Sequence, residues 1–105
     1  MTHPLVAAVR AGLHEAADPV RAPQMQAYMK SAMPYLGIQT APREAACREV
    51  FARYALADAE TWRDTVLSLW RTARFREERY AAISLSGARA YAAKEAPHPA
   101  AADAA

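Results

Sequence analysis

The chain has 105 residues, a formal charge of +2, three glycines, two tryptophans and one cysteine. A chain of that length makes one small domain at most, with a thin stability margin, and a lone cysteine excludes an intrachain disulfide. No apolar run is long enough to span a bilayer and the N-terminus carries no signal-peptide pattern, so a cytoplasmic protein is expected.

Alanine accounts for 28 residues. Because alanine is the best helix former and a poor strand former, and no alternating apolar run occurs, the chain is predicted to be all-α, with about five helices. Pro4 suits a first turn, and Leu5, Val9 and Leu13 then mark one face of a helix reaching about Ala17. Asp18 and Pro19 read as the next cap and start, with Met25, Met29 and Met33 at four-residue spacing on a helix over 22–33. Pro34 and Gly37 are expected to break it, and Thr40 to cap a third helix over 41–54 with Pro42 in its first turn. Cys47, Val50, Phe51 and Tyr54 form the apolar stripe of that helix, which makes Cys47 a buried structural thiol rather than a nucleophile.

Asp58 caps a fourth helix to about residue 72, with Trp62, Val66, Leu69 and Trp70 on its core face. A fifth begins near Phe75 and continues through Tyr80, Ile83, Gly87 and Tyr91. Short loops imply that successive helices are antiparallel neighbours, and the shared layout of the last two pairs resembles stacked helical hairpins. The helical-repeat domain is therefore predicted to span 1–94. The remaining residues, 95–105 (EAPHPAAADAA), are too poor in large apolar side chains to offset their ordering entropy and are expected to be disordered.

Between Val20 and Lys94 twelve Arg or Lys face seven Asp or Glu, and ten of the twelve are arginine. This composition permits a nucleic-acid partner, because the planar guanidinium fork matches phosphate oxygens; on charge alone the alternative is a solvated surface of an arginine-rich chain. His3, His14 and His98 lack the spacing of metal ligands, so no metal and no cofactor are predicted. Glu77 and Glu78 point about 100° apart on a helix and cannot work as an acid and base pair; pairing with Arg74 and Arg79, or exposure to water, is expected.

Three blocks, QMQAYMKSAMPYLGIQTAPR at 24–43, LSLW at 67–70 and REERYAAISL at 76–85, together resemble the N-terminal part of the DNA alkylation repair family, over roughly residues 4–92. The resemblance implies HEAT-like antiparallel helical repeats forming a curved solenoid around duplex DNA. It also implies an enzyme class, glycosylases that release N3- or N7-alkylated purines in base excision repair without flipping the base into a deep pocket. The family's tryptophan-tryptophan-aspartate block is not matched here, since Asp103 has no neighbouring tryptophan. No catalytic residue is therefore carried over, and the chain reads as a truncated, DNA-binding portion. Tyr28 and Gln39 match family positions on the DNA-facing cleft. Lys30 and Arg43 are added because they flank the same turn, and Arg43 lies near a helix N-terminus that favours phosphate. The rival for Tyr28 is core packing; for Gln39 and Arg43 it is simple exposure. The expected partner is alkylated duplex DNA, bound without sequence preference and without a membrane. The alternative is a stand-alone helical-repeat adaptor that binds protein or self-associates through its exposed last helical face.

Overall fold

The computed structural model describes residues 3–87. They contain five helices and no strand: α1 (Pro4–Glu15), α2 (Arg21–Met29), α3 (Thr40–Arg53), α4 (Ala59–Arg71) and α5 (Arg76–Ser86). The end of the predicted fifth helix at Tyr91 and the predicted disordered tail lie outside the described residues.

Helix α1 is the centre of the packing. Pro4 takes its first position, and His3 Nδ1 accepts the Leu5 N–H at 3.1 Å, which supplies the cap that no Ser or Asp provides. Leu5, Val6, Val9 and Leu13 are all buried, and the helix packs against α3, α4 and α5. The other half of the core comes from Cys47 and Val50 of α3, Leu56 of the following loop, Trp62 and Leu69 of α4, and Ala81, Ala82 and Leu85 of α5. Asp58 caps α4 as its sequence position predicts, accepting the Thr61 N–H at 2.7 Å. Trp62 reaches across the core and donates its Nε1–H to the Leu85 carbonyl at 3.0 Å, so the indole is buried without an orphaned donor.

Several expectations are corrected here. Successive helices do not simply pair: α4 packs on α5, but α3 does not touch α4, and α2 packs against no other helix. The methionine stripe of α2 is not a core stripe, because the helix has no buried residue and Met29 is 51% exposed. The helix also ends earlier than Pro34. Lys30 adopts a left-handed conformation (φ 51°), while the Ser31 N–H bonds the Gln26 carbonyl at 3.1 Å and the Lys30 N–H bonds Ala27 at 3.2 Å. That pair of bonds is a Schellman ending, which satisfies two terminal carbonyls and leaves Met33 beyond the helix. Thr40 is the first helical residue of α3 rather than its cap; Gln39 takes the cap position without a side-chain bond.

Another correction concerns α5. Ile83, one of the residues along which the sequence traces this helix, is 56% exposed, whereas Glu77 and Glu78, expected to pair with Arg74 and Arg79 or face water, are at most 1% exposed. The buried stripe is Glu77, Glu78, Ala81, Ala82 and Leu85, a helical face that includes both carboxylates. Each has a partner from elsewhere in the chain, neither of them Arg74 or Arg79. Arg10 of α1 donates to Glu78 Oε1 at 2.7 Å and also reaches the Thr72 hydroxyl. This ion pair, 2% exposed on the glutamate side, ties the first helix to the last.

Candidate nucleic-acid interface

The loop between α2 and α3 is built around the second buried carboxylate. Glu77 accepts three successive backbone N–H groups: Leu36 at 2.8 Å on Oε1, and Gly37 at 2.9 Å and Ile38 at 3.1 Å on Oε2. Wrapping consecutive amides around one anion fixes the loop far more tightly than its lack of regular structure suggests. The other side of the loop is held as well. The Asp18 N–H bonds the Leu36 carbonyl at 2.8 Å, and Asp18 Oδ1 takes the Val20 and Arg21 N–H groups at the start of α2. Gly37, at φ +90°, is where the two segments cross. Tyr35, Leu36 and Ile38 are thereby buried, and Gln39 emerges on the surface at the start of α3.

Because α2 stands off the other helices, an open cleft of about 640 Å³ lies between it and the α3 and α5 side of the molecule. Its wall includes Tyr28, Gln39 and Arg43, three of the four residues selected from sequence, and also Arg21, Tyr35 and Tyr80. The fourth, Lys30, lines an adjoining recess with Arg76 and Arg79, and Met29 and Tyr35 belong to both. Tyr28 is 85% exposed and takes no part in the core.

The arginines of this surface stand on aromatic rings. The guanidinium of Arg43 lies 4.7 Å and that of Arg76 5.2 Å from the centre of the Tyr80 ring, and that of Arg79 lies 4.6 Å from Trp70. Tyr80 shares a 2.8 Å hydrogen bond with Tyr35. That bond, together with the Arg76 and Arg43 charges, holds the Tyr80 hydroxyl below the usual tyrosine range, while burial pushes Tyr35 up. Among the described residues, Arg21 is the only one of these bases with a carboxylate at ion-pair distance, Asp18 at 3.6 Å on the exposed surface. Among the described residues neither the cleft nor the recess has an acid in its wall, and five bases line them. By contrast, the groove between α1 and α3 mixes Glu15 and Glu49 with Arg53.

A family model for DNA alkylation repair enzymes matches residues 9–103. The chain belongs to this family, and DNA alkylation repair is its general role. No curated protein matches the chain. The match runs past the described helices and about eleven residues beyond the resemblance traced from the three sequence blocks. For this DNA alkylation repair protein, sequence reasoning selected Tyr28, Lys30, Gln39 and Arg43, all of which line the cleft or its recess, and did not select Tyr35, Arg76, Arg79 and Tyr80, which line them too. A signal was present: Arg76, Arg79 and Tyr80 fall at i, i+3 and i+4 and so share a helix face. It was obscured by assigning Glu77 and Glu78 to the same surface as counter-charges.

Cys47 is not part of this surface. It is 2% exposed, and burial pushes its thiol up from an ordinary 9.0 to about 11. The folded chain then holds the thiol proton more tightly than the unfolded chain. Its contribution to stability is full below about pH 9 and is lost as the pH rises toward 11. At pH 8 the native protein is expected to resist a disulfide-exchange thiol reagent, and to react with one equivalent on unfolding in urea. Fast stoichiometric labelling of the native chain would contradict the burial.

Proposed function

We propose that this chain holds alkylated duplex DNA for repair, with the cleft between α2 and α3 as the contact surface and Tyr28, Gln39, Lys30 and Arg43 among its contacts. The observation that carries the reading is the charge pattern: among the described residues, five bases and no acid line the aromatic-walled cleft and its adjoining recess. The described residues of the chain as a whole include acids enough to make such segregation informative. Phosphate contacts of this kind give sequence-independent, salt-sensitive affinity, as repair of a lesion in any sequence context requires. Arginine on tyrosine suits the task because the ring fixes the guanidinium plane and spares part of its ordering cost on binding.

The chemistry of the reading is glycosidic-bond hydrolysis at a cationic N3- or N7-alkylated purine, in which the charged base is already a good leaving group. What the reaction then needs is a group that stabilises the developing sugar cation and places water. Among the described residues no such carboxylate stands at the cleft, and the only tryptophans, Trp62 and Trp70, are respectively buried in the core and stacked under Arg79. The role proposed for these 105 residues is accordingly DNA holding, without base release.

Fluorescence anisotropy with a labelled duplex tests it. The chain is expected to bind at low ionic strength, to lose most of that affinity by about 0.2 M salt, and to weaken severalfold in the Tyr28→Ala/Gln39→Ala variant. Tyr28 and Gln39 are both exposed, so their loss should leave the fold intact. An unchanged affinity in that variant would remove these side chains from the interface. A duplex containing 7-methylguanine is expected to be bound without release of the base.

A further inference from the structure

We propose that Arg43, Arg76 and Tyr80 form a discrete phosphate-binding site at the junction of α3 and α5. The proposal rests on the DNA-holding reading and assigns its principal phosphodiester grip to residues on two different helices. Arg43 lies in the first turn of α3 and Arg76 is the first residue of α5. They are distant in sequence, yet both guanidinium groups lie within 5.2 Å of the centre of the same ring.

Two like charges on one ring repel each other, and some third party normally relieves that. In this protein it is not a carboxylate. The two acids of the first turn of α5, Glu77 and Glu78, face inward, one spent on the amides of residues 36–38 and the other on Arg10. Among the described residues no carboxylate lies within ion-pair distance of Arg43 or Arg76. The Nε–H groups of both arginines are also shielded from solvent and have no hydrogen-bond partner there. A tetrahedral oxyanion placed between the forks would screen the repulsion and accept charge-assisted hydrogen bonds from both.

The ring is held in position to receive it. Tyr80 is fixed by the 2.8 Å bond to the Tyr35 hydroxyl, and Tyr35 is itself 4% exposed and anchored in the loop that Glu77 clamps. The Tyr35 bond first, and then the Arg76 and Arg43 groups, hold the Tyr80 hydroxyl below the usual tyrosine range. A third arginine on a tyrosine, Arg53 at 5.9 Å from the centre of Tyr54, serves as an internal contrast, since the groove it lines also contains Glu15 and Glu49.

Two measurements on the full chain test the site. In duplex titrations across a range of potassium chloride, Arg43→Gln/Arg76→Gln is expected to lower the affinity at least about tenfold at low salt. It should also make the slope of log K against log salt shallower by about one, the signature of a lost phosphate contact. Arg76→Lys keeps the charge but not the fork, and is expected to restore the slope more than the affinity. In the second measurement the wild-type chain is titrated with inorganic phosphate. The Nε–H resonances of Arg43 and Arg76 and the ring signals of Tyr80 should shift together, while that of Arg53 stays in place. If the duplex binds and the double variant keeps both affinity and slope, the site is refuted while the DNA-holding reading survives. If the duplex does not bind at all, that reading fails, and the phosphate titration alone decides the site. Absence of a selective shift at Arg43 and Arg76 refutes it whether or not the variants fold.

Discussion

Glu77→Ala is expected to cost the domain most of its stability. The substitution leaves the Leu36, Gly37 and Ile38 N–H groups without their acceptor, in a place where the carboxylate is 0% exposed and water has little access. Each buried donor left unpaired costs about 1–3 kcal/mol, and the emptied side-chain volume adds to that. Three donors together bring the expected loss to about 4 kcal/mol or more, a large share of the 5–15 kcal/mol that holds a typical domain together. Glu77→Gln should be milder, at about 2–3 kcal/mol. The amide keeps one acceptor but presents an NH₂ group to at least one backbone donor. Urea unfolding of the two variants beside the wild type measures both losses, and hydrogen exchange at residues 36–38 should quicken in Glu77→Gln before global unfolding does. A midpoint for Glu77→Ala close to wild type would mean that the carboxylate is not what holds the loop.

Much of this molecule was legible in the sequence because its helices advertise themselves through local chemistry. Pro4, Asp18, Asp58 and Pro42 stand at helix starts because capping and first-turn preferences depend only on nearby residues. The stripe Leu5, Val9, Leu13 is buried as its spacing predicts. What failed was whatever depended on a distant partner. The left-handed Lys30 that ends α2 is stabilised by a hydrogen-bond pattern that other residue types prefer, so nothing in its identity marks the stop. The apolar periodicity of Met25, Met29 and Met33 is real, but no helix packs over it.

The same distinction governs the candidate site. Tyr28 and Gln39 were found through resemblance, and Arg43 through its position beside a turn; all three line one cleft. Arg76, Arg79 and Tyr80 were missed because a glutamate between arginines on a helix is most simply read as their counter-charge. Whether a carboxylate faces water or core is decided by what lies across from it, here three amides from a loop about forty residues earlier and an arginine from the first helix. Burying those two acids is also what leaves the arginines beside them without a counter-charge. Structural anchoring and the positive surface therefore come from one sequence, REERY at 76–80, read on two faces of one helix.

Gly37→Ala should be nearly as damaging as loss of Glu77, for a different reason. At φ +90° an L-residue is strained by about 1–3 kcal/mol wherever it occurs. Here a Cβ would also lie 2.1 Å from the Asp18 carbonyl oxygen and 2.9 Å from the Ala22 nitrogen. Both are backbone atoms in the turn that starts α2, which cannot rotate away as a side chain can. The Asp18–Leu36 and Ala22–Asp18 hydrogen bonds, at 2.8 and 3.0 Å, lie in the path of any relaxation. A loss of about 3–5 kcal/mol is expected by thermal or urea unfolding. Because the loop must move away from Asp18, it must also move relative to Glu77, so the double variant Gly37→Ala/Glu77→Ala should lose clearly less than the two single losses combined. Additive losses would show that the crossing at Asp18 and the clamp at Glu77 act independently, and that the loop is held at two separate points rather than as one unit presenting Tyr35 and Gln39 to the cleft.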